Sequence, residues 1–94
     1  MAAYAIAQIE VTNLEEYMKY ASQTVESAEK HGGKFLVKGG ACEWIEGKGS
    51  DRNVIVEFES IAAAKAWYNS EDYQRILPIA LANSNRSLVL VEGV

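Results

Sequence analysis

A chain of 94 residues with one Pro and no linker-like or low-complexity stretch has room for a single domain, 1–94, which must bury most of its apolar side chains to be stable. Thirteen Asp and Glu against nine Lys and Arg leave a formal charge of −4 with no basic cluster, which excludes the electrostatic footprint of a nucleic-acid binder. The lone Cys42 cannot close an intramolecular disulfide, and the apolar start MAAYAIAQIEV is too short to span a bilayer and lacks a basic leading region; a cytoplasmic protein with no membrane partner is expected.

In chain order, AYAIAQIEV (Ala3 to Val11) has the length and apolar content of a buried strand. Alternation puts Tyr4, Ile6, Gln8 and Glu10 on one face and Ala5, Ala7, Ile9 and Val11 on the other, where small alanines suit a closely packed helix. Asn13 followed three residues later by Glu16 makes a capping-box-like helix start. Leu14, Tyr17, Met18, Ala21, Val25 and Ala28 then fall on one apolar stripe, with Tyr20 at its edge, and Gly32-Gly33 ends the helix. KFLVKGGACEWIE and NVIVEFE follow as two strands joined by the turn-forming GKGSDR, with a bulge expected at Gly39-Gly40. Ser60 caps IAAAKAWYN, Ser70 with Glu71 and Asp72 restarts a helix after a bend, and Pro78 is expected to kink the second piece. RSLVLVEG closes the chain as a strand.

The order is β-α-β-β-α-β, which predicts an α+β, ferredoxin-like sandwich: a four-stranded antiparallel sheet with helices on one face. VIVEF and LVLV are apolar at both parities, so both sheet faces need cover while the helices supply only one. A homodimer through the sheet face, with a barrel-like interior, is the expected solution.

AYAIAQIEVTNLEEYMKYA, HGGKFLVKGGACEWIEG, VIVEFESIAAAKAWYNSEDYQ and LVLVEG, in that order, resemble the domain of unknown function 1330 (DUF1330) family, small bacterial proteins of the dimeric α/β barrel superfamily. The resemblance spans essentially the whole chain and implies a ferredoxin-like homodimer. Related families include cofactor-free quinol-type monooxygenases, muconolactone isomerases and haem-dependent enzymes, so the resemblance leaves the chemistry to individual residues.

Metal and haem are not expected, because His31 is the only His and no second His or Cys lies at ligand spacing. At a helix end, His31 is a natural partner for the negative pole of the helix. Cys42, in a strand beside Trp44, reads as a small hydrophobe, and neither GGKF nor KGGA has the context of a phosphate loop. Gln8, Lys38 and Glu57 are expected to share the sheet face that the partner covers. There Lys38 and Glu57 form a cross-strand ion pair or, in the catalytic reading, a charge stabiliser and a base.

The aromatic residues suggest a pocket near the helix bend, lined by Tyr17, His31, Trp67, Tyr68 and Tyr73, with Lys38 or Glu57 supplying charge; the alternative is that these rings roof the core. Three functions fit the sequence. They are a cofactor-free enzyme on a small organic or aromatic molecule, monooxygenase- or isomerase-like and drawing its catalytic residues from Glu57, His31 and Lys38, a non-catalytic small-ligand binder, and a structural or interaction dimer.

Overall fold

Alternation in AYAIAQIEV separates the two faces of the sheet. In the computed structural model, which describes Met1–Val94, this stretch is β1 (Ala3–Val11); Ala3, Ala5, Ala7 and Ile9 are buried, while Tyr4, Ile6, Gln8 and Glu10 occupy the opposite face. The other elements are α1 (Leu14–Lys30), β2 (Lys34–Lys38), β3 (Arg52–Phe58), α2 (Ile61–Tyr68), α3 (Glu71–Ala82) and β4 (Ser84–Glu92). The strands form one antiparallel sheet in the order β2-β3-β1-β4. The architecture is therefore ferredoxin-like α+β, with its second helix delivered in two pieces, as the Ser70 restart implied.

All three helices cover the alanine face. One core joins Ala5 and Ala7 to Tyr17 of α1, Trp67 of α2, Tyr73 of α3 and Phe58 of β3. Trp67 stacks on Phe58 with centroids 5.4 Å apart and sits 4.3 Å from the Tyr73 ring, so the paired aromatics fix the angle between sheet and helices. The Cα trace measures 32 × 30 × 16 Å, a thickness that one sheet and one helical layer fill. The other sheet face is bare.

Local chemistry sets the ends of the helices. Asn13 accepts from the Glu16 backbone N–H, Ser60 from Ala63 and Ser70 from Tyr73, each satisfying a donor that the first turn leaves free. The Glu16 carboxylate does not complete the expected box; it pairs with Lys19 at 2.9 Å, and the Asn13 N–H is taken by the Asn83 carbonyl. Gly32, at φ 80°, supplies the left-handed residue after α1.

Four expectations are corrected. The buried stripe of α1 includes Tyr17, Tyr20, Ser27 and Ala28, so Tyr20 faces the core while Leu14 and Met18 are exposed. β2 ends at Lys38, because Gly39 and Gly40 give a strand no side chains to pack; residues 39–51 run as an irregular segment braced by Trp44 Nε1–H donating to the Ser50 carbonyl at 3.1 Å. Cys42 is exposed in that segment rather than in a strand. The register shift lies between Phe35 and Val37, not at Gly39-Gly40. Pro78 lies inside α3, which runs on to Ala82.

Candidate small-molecule site

Arg52 and Arg86 are both register partners of Ile9, on the strands either side of β1, so both occupy the core-facing side of the sheet. Inter-strand spacing puts their Cα traces roughly 9–10 Å apart. Arg86 fits there because α1 and α3 surround it with tyrosines. Its Nη1 donates to Tyr17 Oη at 3.3 Å and its Nη2 to Tyr73 Oη at 3.4 Å, while the guanidinium carbon lies 5.2 Å from the centre of the Tyr20 ring. Tyr20 and Tyr73 share a hydrogen bond of 2.8 Å. Three hydroxyls from two helices and one guanidinium from β4 thus form a buried network that fixes the rings.

Arg52 has a different environment. Its guanidinium carbon is 5.5 Å from the Tyr17 ring centre, and its Nε is buried without a hydrogen-bond partner. Lys38 joins the same face through the register shift: Phe35 pairs with Val56 and Lys38 with Val54, leaving Leu36 as the extra residue. That one-residue insertion reverses the strand's alternation, so Lys38 lies 5.8 Å from the centre of the Phe35 ring.

Between α1 and the sheet these residues enclose a cavity of about 50 Å³. Its walls are mainly apolar, from Ala7, Ile9, Val54, Phe35 and Trp67, and its polar lining includes Tyr17, Tyr20, Thr24, Lys38, Arg52 and Arg86. The space suits a short organic body and is smaller than the roughly 300–1,000 Å³ of drug-sized sites. Burial raises the ionisation of Tyr73 far above its ordinary value near 10, reinforced by the Tyr20 hydroxyl, and burial likewise raises Tyr17 against the opposing pull of Arg86. Burial works against the charge on Arg86, but Tyr20 and Tyr73 more than offset it, so the guanidinium stays protonated. The site offers hydrogen-bond donors and positive charge. It offers no carboxylate or imidazole base.

The structure divides the residues singled out in the sequence. Tyr17, Trp67 and Lys38 line the cavity, and Tyr73 reaches it through the Tyr20 hydroxyl. Tyr68 packs on Tyr73, with centroids 5.4 Å apart, and faces a separate groove with Leu77, Leu81 and Leu90. His31 caps α1 with Nε2 3.8 Å from Asp72 Oδ1, outside the cavity; Asp72 is held below the ordinary carboxylate range, chiefly by a hydrogen bond from Ser70. Glu57 lies on the bare sheet face, accepting from Tyr4 Oη at 3.2 Å, a bond that raises the Tyr4 hydroxyl. The expected pairing of Lys38 with Glu57 and Gln8 is therefore corrected, because the extra residue at Leu36 turns Lys38 to the helix side.

Tyr20, Arg52 and Arg86 carry the site and were missed. A signal was available: Arg52 has the parity of Val54 and Val56, and Arg86 that of Leu88 and Leu90, so each strand places a cation in line with its core residues.

No group of three His, Cys, Asp or Glu side chains is placed to hold a metal ion, and no helix is long and apolar enough to cross a membrane. The model of a domain of unknown function, DUF1330, matches residues 2–94. No curated protein matches the sequence. Among solved structures, a protein of unknown function from Rhodopseudomonas palustris is similar over 99% of this chain and 82% of its own, with TM-score 0.81 and 17% identity. A dimeric ferredoxin-like protein of unknown function from Jannaschia sp. CCS1 aligns over 99% and 100%, with TM-score 0.77 and 17% identity. SnoaB, a cofactor-independent oxygenase from Streptomyces nogalater, aligns over 99% and 93%, with TM-score 0.70 and 9% identity. At these identities the likeness is one of fold.

Proposed function

The chain belongs to the DUF1330 family, and on that premise we propose that it binds a small organic or aromatic molecule in the cavity between α1 and the sheet. One observation carries this reading: Tyr17, Tyr20 and Arg86 line a mainly apolar cavity, with Arg86 bonding the Tyr17 hydroxyl and Tyr73 joining Arg86 to Tyr20. Rings that merely roofed a core would keep their tips in water. Here Tyr17 is 1% and Tyr73 0% exposed. Prearranged polar groups over apolar walls are what orient a small ligand. The test is a panel of quinols, lactones and short organic acids titrated against the purified protein, with Trp67 fluorescence read in a Trp44→Phe background. Saturable quenching is expected; no response from any compound would sink the reading.

The second reading is cofactor-free turnover of the bound molecule, supported by the shared fold of the oxygenase SnoaB. Donors without a base suit stabilisation of negative charge on a substrate that ionises readily by itself. Oxygen uptake and absorbance, followed under air with the same panel, separate turnover from binding.

We further propose that the protein acts as a homodimer joined through its bare sheet face, in the cytoplasm, where the exposed Cys42 stays reduced. Ile6, Val37, Ile55, Val89 and Val91 lie on that face, with Val89 52% and Val91 43% exposed. Such an apolar surface, ringed by Gln8, Glu10 and Asn85, favours pairing with a second copy, and the Jannaschia relative is described as dimeric. Sedimentation at micromolar concentration is expected to give the dimer mass, and a stable monomer would overturn this.

A further inference from the structure

We infer that the occupant of the cavity is an anion: a carboxylate, or a comparably delocalised oxyanion, on a short apolar body, with Arg52 and Lys38 as its charge partners. The inference rests on the small-molecule reading above and adds the ligand's charge to it.

Three of the chain's nine Lys and Arg line the cavity, and none of its thirteen Asp and Glu does. The protein as a whole carries −4, so this is a local segregation of charge against the overall sign. A guanidinium held beside low-dielectric walls normally finds a carboxylate, because an unpaired buried donor there is costly, whereas the exposed Lys38 is solvated. Neither ion pair in the chain, Lys19 with Glu16 or His31 with Asp72, involves Lys38, Arg52 or Arg86.

The three cations are not equivalent. Two of Arg86's donors are already committed to Tyr17 and Tyr73, which makes Arg86 the structural member. Arg52 rests on the Tyr17 ring, while its buried Nε has no acceptor. A planar guanidinium presents parallel N–H groups to a carboxylate, so a bound carboxylate would satisfy that orphan donor and neutralise the charge together. Lys38, exposed but brought to the helix side of the sheet by the register shift, supplies a mobile ammonium on the cavity's lining. The apolar lining receives the rest of the molecule, and a volume of about 50 Å³ keeps that part short.

The experiment compares matched pairs, butyrate with butyramide and benzoate with benzamide, by calorimetry and Trp67 fluorescence on the full chain. Each pair holds shape nearly constant and removes the charge. The acids are expected to bind at least about tenfold tighter than the amides, and more weakly as salt rises. Arg52→Gln should lower acid affinity roughly 10- to 100-fold and erase the preference, while Lys65→Gln, which removes the same charge from the exposed side of α2, should leave it. If Arg52→Gln fails to fold by circular dichroism, Lys38→Gln and the salt dependence of the native protein decide. Equal binding of acids and amides would overturn the inference and leave the small-molecule reading standing. An acid preference that survives both Arg52→Gln and Lys38→Gln would also overturn it, and binding of neither class would remove both readings.

Discussion

Replacing Tyr73 by Phe removes one oxygen and keeps almost the whole ring, so it isolates the hydroxyl network from packing. Tyr73 is 0% exposed, and its hydroxyl meets Tyr20 at 2.8 Å and Arg86 at 3.4 Å. The first contact is short and buried. The second is long, so little of the strength of a charged hydrogen bond is available there. Tyr20, 5% exposed, makes no other side-chain hydrogen bond through its hydroxyl, so Tyr73→Phe leaves a buried polar group unpaired at a cost of about 1–3 kcal/mol. For a domain of this size each kcal/mol lowers Tm by roughly 4–8 °C. The double variant Tyr20→Phe/Tyr73→Phe removes both partners and should cost less than the two single changes added, with a coupling of about 1 kcal/mol. Urea unfolding followed by circular dichroism at one fixed protein concentration measures all four corners of the cycle, concentration being held because a dimer's stability depends on it. Single variants within about 0.5 kcal/mol of the native protein, or strictly additive losses, would refute the claim that these hydroxyls are coupled inside the fold.

Tyr73 keeps its proton in the fold well above 10, whereas the unfolded chain loses it near 10, so this contribution is fully present below that pH and stability falls as pH rises beyond it. The slope is about 1.4 kcal/mol per pH unit, and Tyr73→Phe should flatten it in urea titrations at successive alkaline pH values. Val56 is 3% exposed under the helices, so Val56→Asp should cost more than about 3 kcal/mol and unfold the chain by circular dichroism, with half-buried Leu90→Asp losing less. Val89→Asp, on the bare face, should instead leave a folded monomer in sedimentation, and a retained dimer would move the interface elsewhere. A Cβ on Gly33 would lie 2.9 Å from both the Ala28 carbonyl oxygen and the Phe58 ring, so Gly33→Ala should lose about 1–3 kcal/mol in the same unfolding assay.

The fold was legible because its signals are local and agree with one another. Asn13, Ser60 and Ser70 each cap the helix that follows them, and the alternation of Ala5, Ala7 and Ile9 with Tyr4, Ile6 and Gln8 assigned the helical face before any contact was known. The ring of aromatics was read half correctly. Trp67 is core and also lines the cavity, and Tyr20, an edge residue of the apolar stripe, does approach Tyr73 and links α1 to α3 through its hydroxyl. A stripe drawn through Leu14 and Met18 follows hydrophobicity, whereas α1 turns its tyrosines inward, where Arg86 bonds the Tyr17 hydroxyl and Tyr73 of α3 bonds that of Tyr20. Arg86 is 69 residues from Tyr17 in sequence, beyond the reach of any helical period.

The charged half of the site failed for a related reason. Alternation carries a face along a strand only while the register holds, and β2 gains a residue at Leu36, before its last position. From that point Lys38 belongs with Val54 rather than with Glu57, and a pairing that looked like a cross-strand salt bridge separates onto opposite sides of the sheet. Arg52 and Arg86 needed no bulge to be found. Arg52 opens β3 and Arg86 is the third residue of β4, each in line with core positions, Val54 and Val56 or Leu88 and Leu90, and a cation in such a row must be paired, exposed or aimed at a site. Arg86 is paired by tyrosines. Arg52, with its Nε buried and unmatched on the wall of the same cavity, is left with the third role.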